Sequence, residues 1–160
     1  MSTVLILYHS RSGNTEEMAR AVAEGVKSEG AKAILRKVTK TSPKDLLSVD
    51  GVILGSPNYY GTMAAEIKAF LDKTVQFHGK LEGKVGAAFA SGGVLGGGVE
   101  TVVLEMLKSL LIHGMIIQGD PWGSHFGTVS IGSPNSAGKK EARKLGARVA
   151  RLIKRLGPAF

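Results

Sequence analysis

The chain alternates between short runs that are apolar at nearly every position and longer stretches whose apolar residues recur every third or fourth position. Positions 3–8 (Thr-Val-Leu-Ile-Leu-Tyr) form a continuous apolar run, the pattern of a strand covered on both faces. Positions 14–28 set Met18, Ala19, Ala21, Val22 and Val26 on one helical stripe. Ala33, Ile34, Leu35 and Val38 predict a second strand over 33–38. Ser42-Pro43 can start a short helix containing Asp45, Leu46 and Leu47, with proline at its first position. The pattern continues with a buried strand at 50–55, a helix at 64–71 through Ile67, Phe70 and Leu71, and a strand of small and apolar residues at 84–89. A long apolar helix at 99–113 and a fifth strand at 115–117 follow. Beyond them lie an irregular stretch with Pro121, Trp122 and Phe126 and a helix over 139–155.

Five strands alternating with helices specify an α/β domain, with a parallel sheet and helices on both faces. No repeat, low-complexity segment or linker interrupts the 160 residues, so a single domain over 1–160 is expected. Ligands of such sheets lie beyond the carboxyl ends of the strands, at the switch point. The segments 10–15, 56–63 and 90–98 occupy those ends.

Composition narrows the chemistry. The sequence has no cysteine, which rules out disulfides, thiolate metal sites, cysteine nucleophiles and cysteine-ligated iron–sulfur clusters. A hydrophobic fraction of 43% and a charged fraction of 21% argue against a disordered chain. The apolar runs fall short of the roughly 20 residues a membrane-spanning helix requires, so no membrane partner is expected. The first run, 4–7, leads straight into Tyr8-His9-Ser10, so no signal peptide is expected and a cytoplasmic location is the default. The net charge is +8, and 139–155 carries seven of those charges, eight cations against the single acid Glu141. Ala142, Leu145, Val149, Leu152, Ile153 and Leu156 form the buried stripe of that helix. Its cations read foremost as a solvated face and otherwise as a site for an anionic partner. No aromatic residue interleaves with them, so a nucleic-acid partner is not expected.

The sharpest motif follows the first strand. Ser10, Arg11, Ser12, Gly13, Asn14 and Thr15 crowd a strand-to-helix turn with three hydroxyls and a glycine. Such a turn can aim several amide N–H groups at one point, where the helix N-terminus adds partial positive charge. This is a cradle for a phosphate monoester. It lacks the lysine of a nucleoside-triphosphatase loop and the spacing of the dinucleotide fingerprint. The segment 56–63 sets Tyr59 and Tyr60 side by side between Pro57-Asn58 and Gly61, offering faces on which a planar ring can stack. The segment 90–98 (Ser91, Gly92, Gly93, Val94, Leu95 and Gly96 among it) has five glycines in seven residues, allowing close backbone approach to a flat ligand. One ligand, with a phosphate at one end and a flat polar ring at the other, satisfies all three segments, and flavin mononucleotide (FMN) fits that description. His9, His78, His113 and His125 have no metal-ligand spacing, so no metal site is expected.

The Ser-x-Ser-Gly-Asn-Thr segment resembles the flavodoxin phosphate loop. Most of the chain resembles the tryptophan-repressor-binding-protein family of NAD(P)H:quinone oxidoreductases, a multimeric branch of the flavodoxin superfamily, through 8–25, 55–72, 89–101 and His113-Gly114-Met115. The resemblance implies a flavodoxin-like five-stranded sheet of order 2-1-3-4-5. It also implies that residues 10–15 hold the FMN phosphate, that Pro57, Asn58, Tyr59, Tyr60 and Gly61 border the isoalloxazine, and that 91–96 wrap its other edge. The implied activity is hydride transfer from NADH or NADPH through flavin N5 to a quinone or other small acceptor. Tyr60, His113 and Trp122 are the candidates to shape the substrate slot. The family's homodimers or homotetramers bring aromatics from neighbouring subunits over the flavin, and Trp122 falls where one such residue lies. The sequence departs from the family at Ser12, where a tyrosine is usual, at Phe77 and His78, where a tryptophan is expected nearby, and at Ile112-His113, where two histidines are common. The alternative reading is a one-electron flavodoxin, whose partners would have to be acidic redox proteins given the basic charge.

Overall fold

The computed structural model describes residues 1–157, so the last three positions of the expected 1–160 domain lie outside the described residues. Strand β1 (Thr3–Tyr8) leads into helix α1 (Asn14–Ser28), then β2 (Lys32–Lys37), β3 (Gly51–Tyr59) and β4 (Thr62–Met63). Helix α2 (Ala65–Lys73), β5 (Val85–Gly92), α3 (Val99–Ile112), β6 (Ile116–Ile117), β7 (Val129–Ile131) and α4 (Ser136–Leu156) complete it. The main path of the sheet is β2-β1-β3-β5-β6, all parallel.

Period-two alternation divides the core. Leu5, Leu7, Val52 and Leu54 face α2 and α3. Val4, Ile6, Tyr8 and Ile53 face α1 and α4. Both faces of each central strand are therefore apolar, which is why these strands read as unbroken apolar runs. On the second face α1 and α4 pack without intervening side chains at two glycines. A Cβ at Gly25 would meet the Arg143 carbonyl, and one at Gly146 would meet the Val22 carbonyl.

The structure corrects several expectations. The sheet has seven strands, not five, because β4 pairs antiparallel with β3 and β7 pairs parallel with β5. β3 does not end at Gly55. Ser56 and Pro57 stay in the ladder opposite Ala90 and Ser91, so the expected loops 56–63 and 90–98 each begin as strand. The β3–β4 hairpin turns through Tyr60 and Gly61, with φ of +53° and +80°. Two positive φ values match the twist of a tight hairpin and explain why a glycine follows the tyrosine. Val38 opens a single 3-10 turn (Val38–Lys40) instead of ending β2. Residues Pro43–Ser48 are also 3-10, begun by a reciprocal cap between Ser42 and Asp45. α4 starts at Ser136, three residues before the expected 139, where the Asn135 side chain accepts the Gly138 N–H at 2.9 Å. Among the described residues no helix is long and apolar enough to cross a membrane.

Candidate functional site

The carboxyl ends of β1, β3 and β5 lie side by side, and the three segments that leave them are stitched together. Gly13 takes φ +97° directly before α1, a conformation a side chain resists. Its N–H donates to Ser10 Oγ at 3.1 Å, closing the turn. No side chain caps α1, so the N–H groups of its first turn have no intrahelical partner and point outward. The two carboxylates of that turn are occupied elsewhere. Glu16 pairs with Arg20 at 2.6 Å and Glu17 with Lys139 at 3.2 Å. The helix start therefore keeps its partial positive charge for an anion.

Thr15 and Ser91 join the first segment to the third. Both are buried, and their hydroxyls lie 2.7 Å apart. Two hydroxyls carry two protons and the mutual bond uses one, which leaves one to donate further. Asn58 joins the second segment to the third, its Nδ2 donating to Gly97 O at 2.6 Å and its Oδ1 accepting the Gly61 N–H at 2.8 Å. Thr101 Oγ1 donates to Gly98 O at 2.6 Å and lies 3.3 Å from Gly61 O, beside the same turn. Arg11 joins the first segment to the second, its guanidinium 4.8 Å from the Tyr59 ring centroid. Beneath the hairpin, Ser56 Oγ accepts the Ala64 N–H and donates to Pro57 O, both at 2.8 Å, fixing where α2 begins.

Ser12, Gly93 and Gly96 lie on the same rim, Gly96 with φ +76°. Tyr60, Val94 and Leu95 present exposed side chains there, and Gly92 packs against Val99 at the base. The sequence reading gave no role here to His9 or Glu66. His9 stands edge-on to Tyr59 with ring centroids 6.3 Å apart, and its Nε2 lies 3.6 Å from the Glu66 carboxylate, without a hydrogen bond. Its position directly after β1 was the available signal.

Two slot candidates lie elsewhere. α3 starts at the glycine-rich segment and runs 14 residues away from it, about 21 Å. His113 follows its far end, 7% exposed. Thr74 Oγ1 donates to Leu71 O at 2.6 Å, so at 2.7 Å it accepts from His113 Nε2, and His113 Nδ1 is left bare. Burial, and then the neighbouring His78, hold the His113 pKa below its ordinary 6.5. The folded state therefore favours the neutral ring. Stability from this site is fully present above pH 6.5 and is lost as pH falls through that value towards the folded pKa. Unfolding free energies from urea titrations are expected to drop between pH 7.5 and 5.5, by at most about 1.4 kcal/mol per pH unit from this group, and His113→Gln is expected to shrink the drop. An identical drop in the variant would assign the dependence elsewhere.

Trp122 is 94% exposed and lines a groove against α4, apart from the three segments. The basic run is largely neutralised within the chain. Lys139, Arg143, Lys144, Arg148 and Arg151 pair with Glu17, Glu24, Glu141, Asp120 and Glu29.

Comparison with known proteins agrees with this architecture. The model of the NADPH-dependent FMN reductase family matches residues 2–128. A protein from Archaeoglobus fulgidus named NAD(P)H dehydrogenase (quinone) is 34% identical, over 98% of this chain and all of its own length. A flavodoxin of Aquifex aeolicus is 36% identical, over 96% of this chain and 88% of its own. The crystal structure of a flavodoxin, WrbA-like protein from Agrobacterium tumefaciens superposes with a TM-score of 0.84 at 25% identity, covering 98% of this chain and all of that one.

Proposed function

The chain belongs to the NADPH-dependent FMN reductase family, with a flavodoxin-like fold, and from that premise we propose that it binds FMN, takes electrons from NADH or NADPH and reduces a quinone. The observation that carries this reading is the uncapped, glycine-turned start of α1, stitched through Thr15–Ser91 and Asn58–Gly97 to the two other segments. A phosphate suits the first segment and a flat ring suits the rim. In this reading residues 1–160 form one FMN-binding domain. The amides and hydroxyls of 10–15 hold the phosphate. Asn58, Tyr59, Tyr60 and 91–96 hold the ring. When bound, FMN supplies a ring that accepts electrons from a nicotinamide and passes them on.

The chain's own residues bind, orient and exclude water. Arg11 steadies the Tyr59 face, and Asn58 fixes the hairpin to the glycine-rich segment. Tyr60, Val94 and Leu95 are the exposed side chains available to close over the ring. The reading extends to a homodimer or homotetramer, supported by exposed Leu104, Leu111 and Ile112 on α3 and Ile116 on β6.

The test is anaerobic. The protein is loaded with FMN, NADH and then NADPH are added, and the visible absorption of the flavin is followed. Bleaching by either donor, with colour restored by a quinone, is expected. A flavin untouched by both donors but bleached by dithionite would overturn the reductase in favour of an electron carrier. Failure to bind FMN would overturn the site itself.

A further inference from the structure

The groove between residues 118–122 and α4 has a volume of about 570 Å³, the size of a nucleotide-scale ligand site. Its helical wall carries Lys144, Arg148, Arg151 and Arg155. Steps of four, three and four place them on one face of α4. Its opposite wall carries Trp122, the chain's single tryptophan.

That wall is built rather than loose. The Asp120 carboxylate accepts the Trp122 N–H at 3.0 Å and the Arg148 guanidinium at 2.6 Å. The Asp120 backbone is bonded at both ends to His125: its N–H donates to His125 O at 3.1 Å, and its carbonyl accepts from His125 Nδ1 at 2.8 Å. The Trp122 backbone N–H, and then Arg148, hold the Asp120 carboxyl below the usual carboxylate range, so it stays charged and keeps the wall in place.

Asp120 satisfies Arg148, and Glu141 satisfies Lys144. Arg151 engages only its Nε, with Ala147 O at 3.4 Å and the Glu29 carboxylate at 3.6 Å, and Arg155 has no acidic partner among the described residues. Two arginine forks with donors to spare therefore face an exposed indole. Arginine forks match phosphate oxygens, and an indole face matches a planar base. Neither feature alone selects a ligand, but together they select a phosphorylated heterocycle over an acidic peptide.

We propose that this groove binds a nucleotide, its base stacked on Trp122 and its phosphates held by Arg151 and Arg155. Two sources share that chemistry: a free nucleotide, or the adenosine 2′-phosphate end of NADPH. Only the second source rests on the proposed function.

The single tryptophan makes the site self-reporting. The full chain is titrated with ADP, with adenosine 2′,5′-bisphosphate and with inorganic phosphate while tryptophan fluorescence is read. Saturable quenching by at least one nucleotide is expected, with the midpoint rising with salt and rising about tenfold in Arg151→Gln/Arg155→Gln. Arg155→Gln alone, which breaks no ion pair among the described residues, serves if the double variant does not fold. No saturable quenching, or an unchanged midpoint in the variants, would overturn the proposal. Equal quenching by inorganic phosphate would also overturn it, leaving an anion patch without a base site. The sources separate by competition. If adenosine 2′,5′-bisphosphate inhibits NADPH oxidation competitively, the groove receives the donor. If it quenches without inhibiting, the ligand is a free nucleotide. Because the fluorescence needs no flavin, failure of the groove and failure of the reductase reading are distinguishable.

Discussion

A Gly146→Ala protein is expected to lose about 3 kcal/mol of stability, and so to melt about 6–12 °C lower than the native chain. The loss comes from backbone against backbone. The added Cβ would be driven into the Val22 carbonyl oxygen and would lie 3.0 Å from the Val26 nitrogen. Neither atom can swing aside as the end of a flexible side chain could. α1 is held on its far side by β1, and α4 is fixed by the buried stripe Leu145, Val149 and Ile153. Relief requires the two helices to move apart, which opens gaps along that stripe. Thermal melts of the native and Ala proteins at one pH decide the matter. Equal melting temperatures would mean that the helices do not approach at this glycine.

Gly13→Val is expected to weaken FMN binding about tenfold or more while leaving the melting temperature of the flavin-free protein nearly unchanged. Nothing lies within 4 Å of a Cβ built at Gly13, so the effect is conformational and not steric crowding. At φ +97° a branched side chain strains the backbone by about 1–2 kcal/mol. Without a ligand the turn relaxes out of that conformation, and the Ser10 clasp and the α1 amides no longer converge. Binding has to restore them, and about 1.4 kcal/mol of restoration is a tenfold loss of affinity. Gly13→Asn is expected to bind better than the Val variant, because asparagine tolerates positive φ. Titration of flavin fluorescence gives the affinities. Native affinity in the Val protein would remove the phosphate from this turn.

The parts of the fold that are locally determined were legible. Strands covered on both faces announce themselves as unbroken apolar runs, as Val4 to Leu7 do, with even and odd positions serving opposite layers. The turn at 10–15 was legible because a glycine, hydroxyls and a helix start act within six residues. What escaped depends on partners distant in sequence. Ser56 and Pro57 look like loop residues, yet they are strand because Ala90 and Ser91 lie opposite them. β7 has three residues, too few for a period, and exists because β5 offers it an edge. The count of five strands failed at such short, borrowed pieces. The place of His113 follows from the direction of its helix. A helix that leaves the ligand edge ends at the opposite edge, so α3 carries His113 away from the site. The basic run was legible as a helix face, but its acids on α1 and before β7 were not.

The stitches across the candidate site also order its assembly. Thr15 and Ser91 are 76 positions apart, and Asn58 and Gly97 are 39 apart. Neither bond can form until β1, β3 and β5 are in register, because closing such long loops for one hydrogen bond is unfavourable by itself. A half-folded chain therefore has the turn at 10–15 but no rim. A ligand that engages all three segments binds only the completed sheet, and its binding free energy is added to the native state alone. In a cell where flavin is scarce, the same chain would open more often at this edge, and proteolytic turnover there would track cofactor supply.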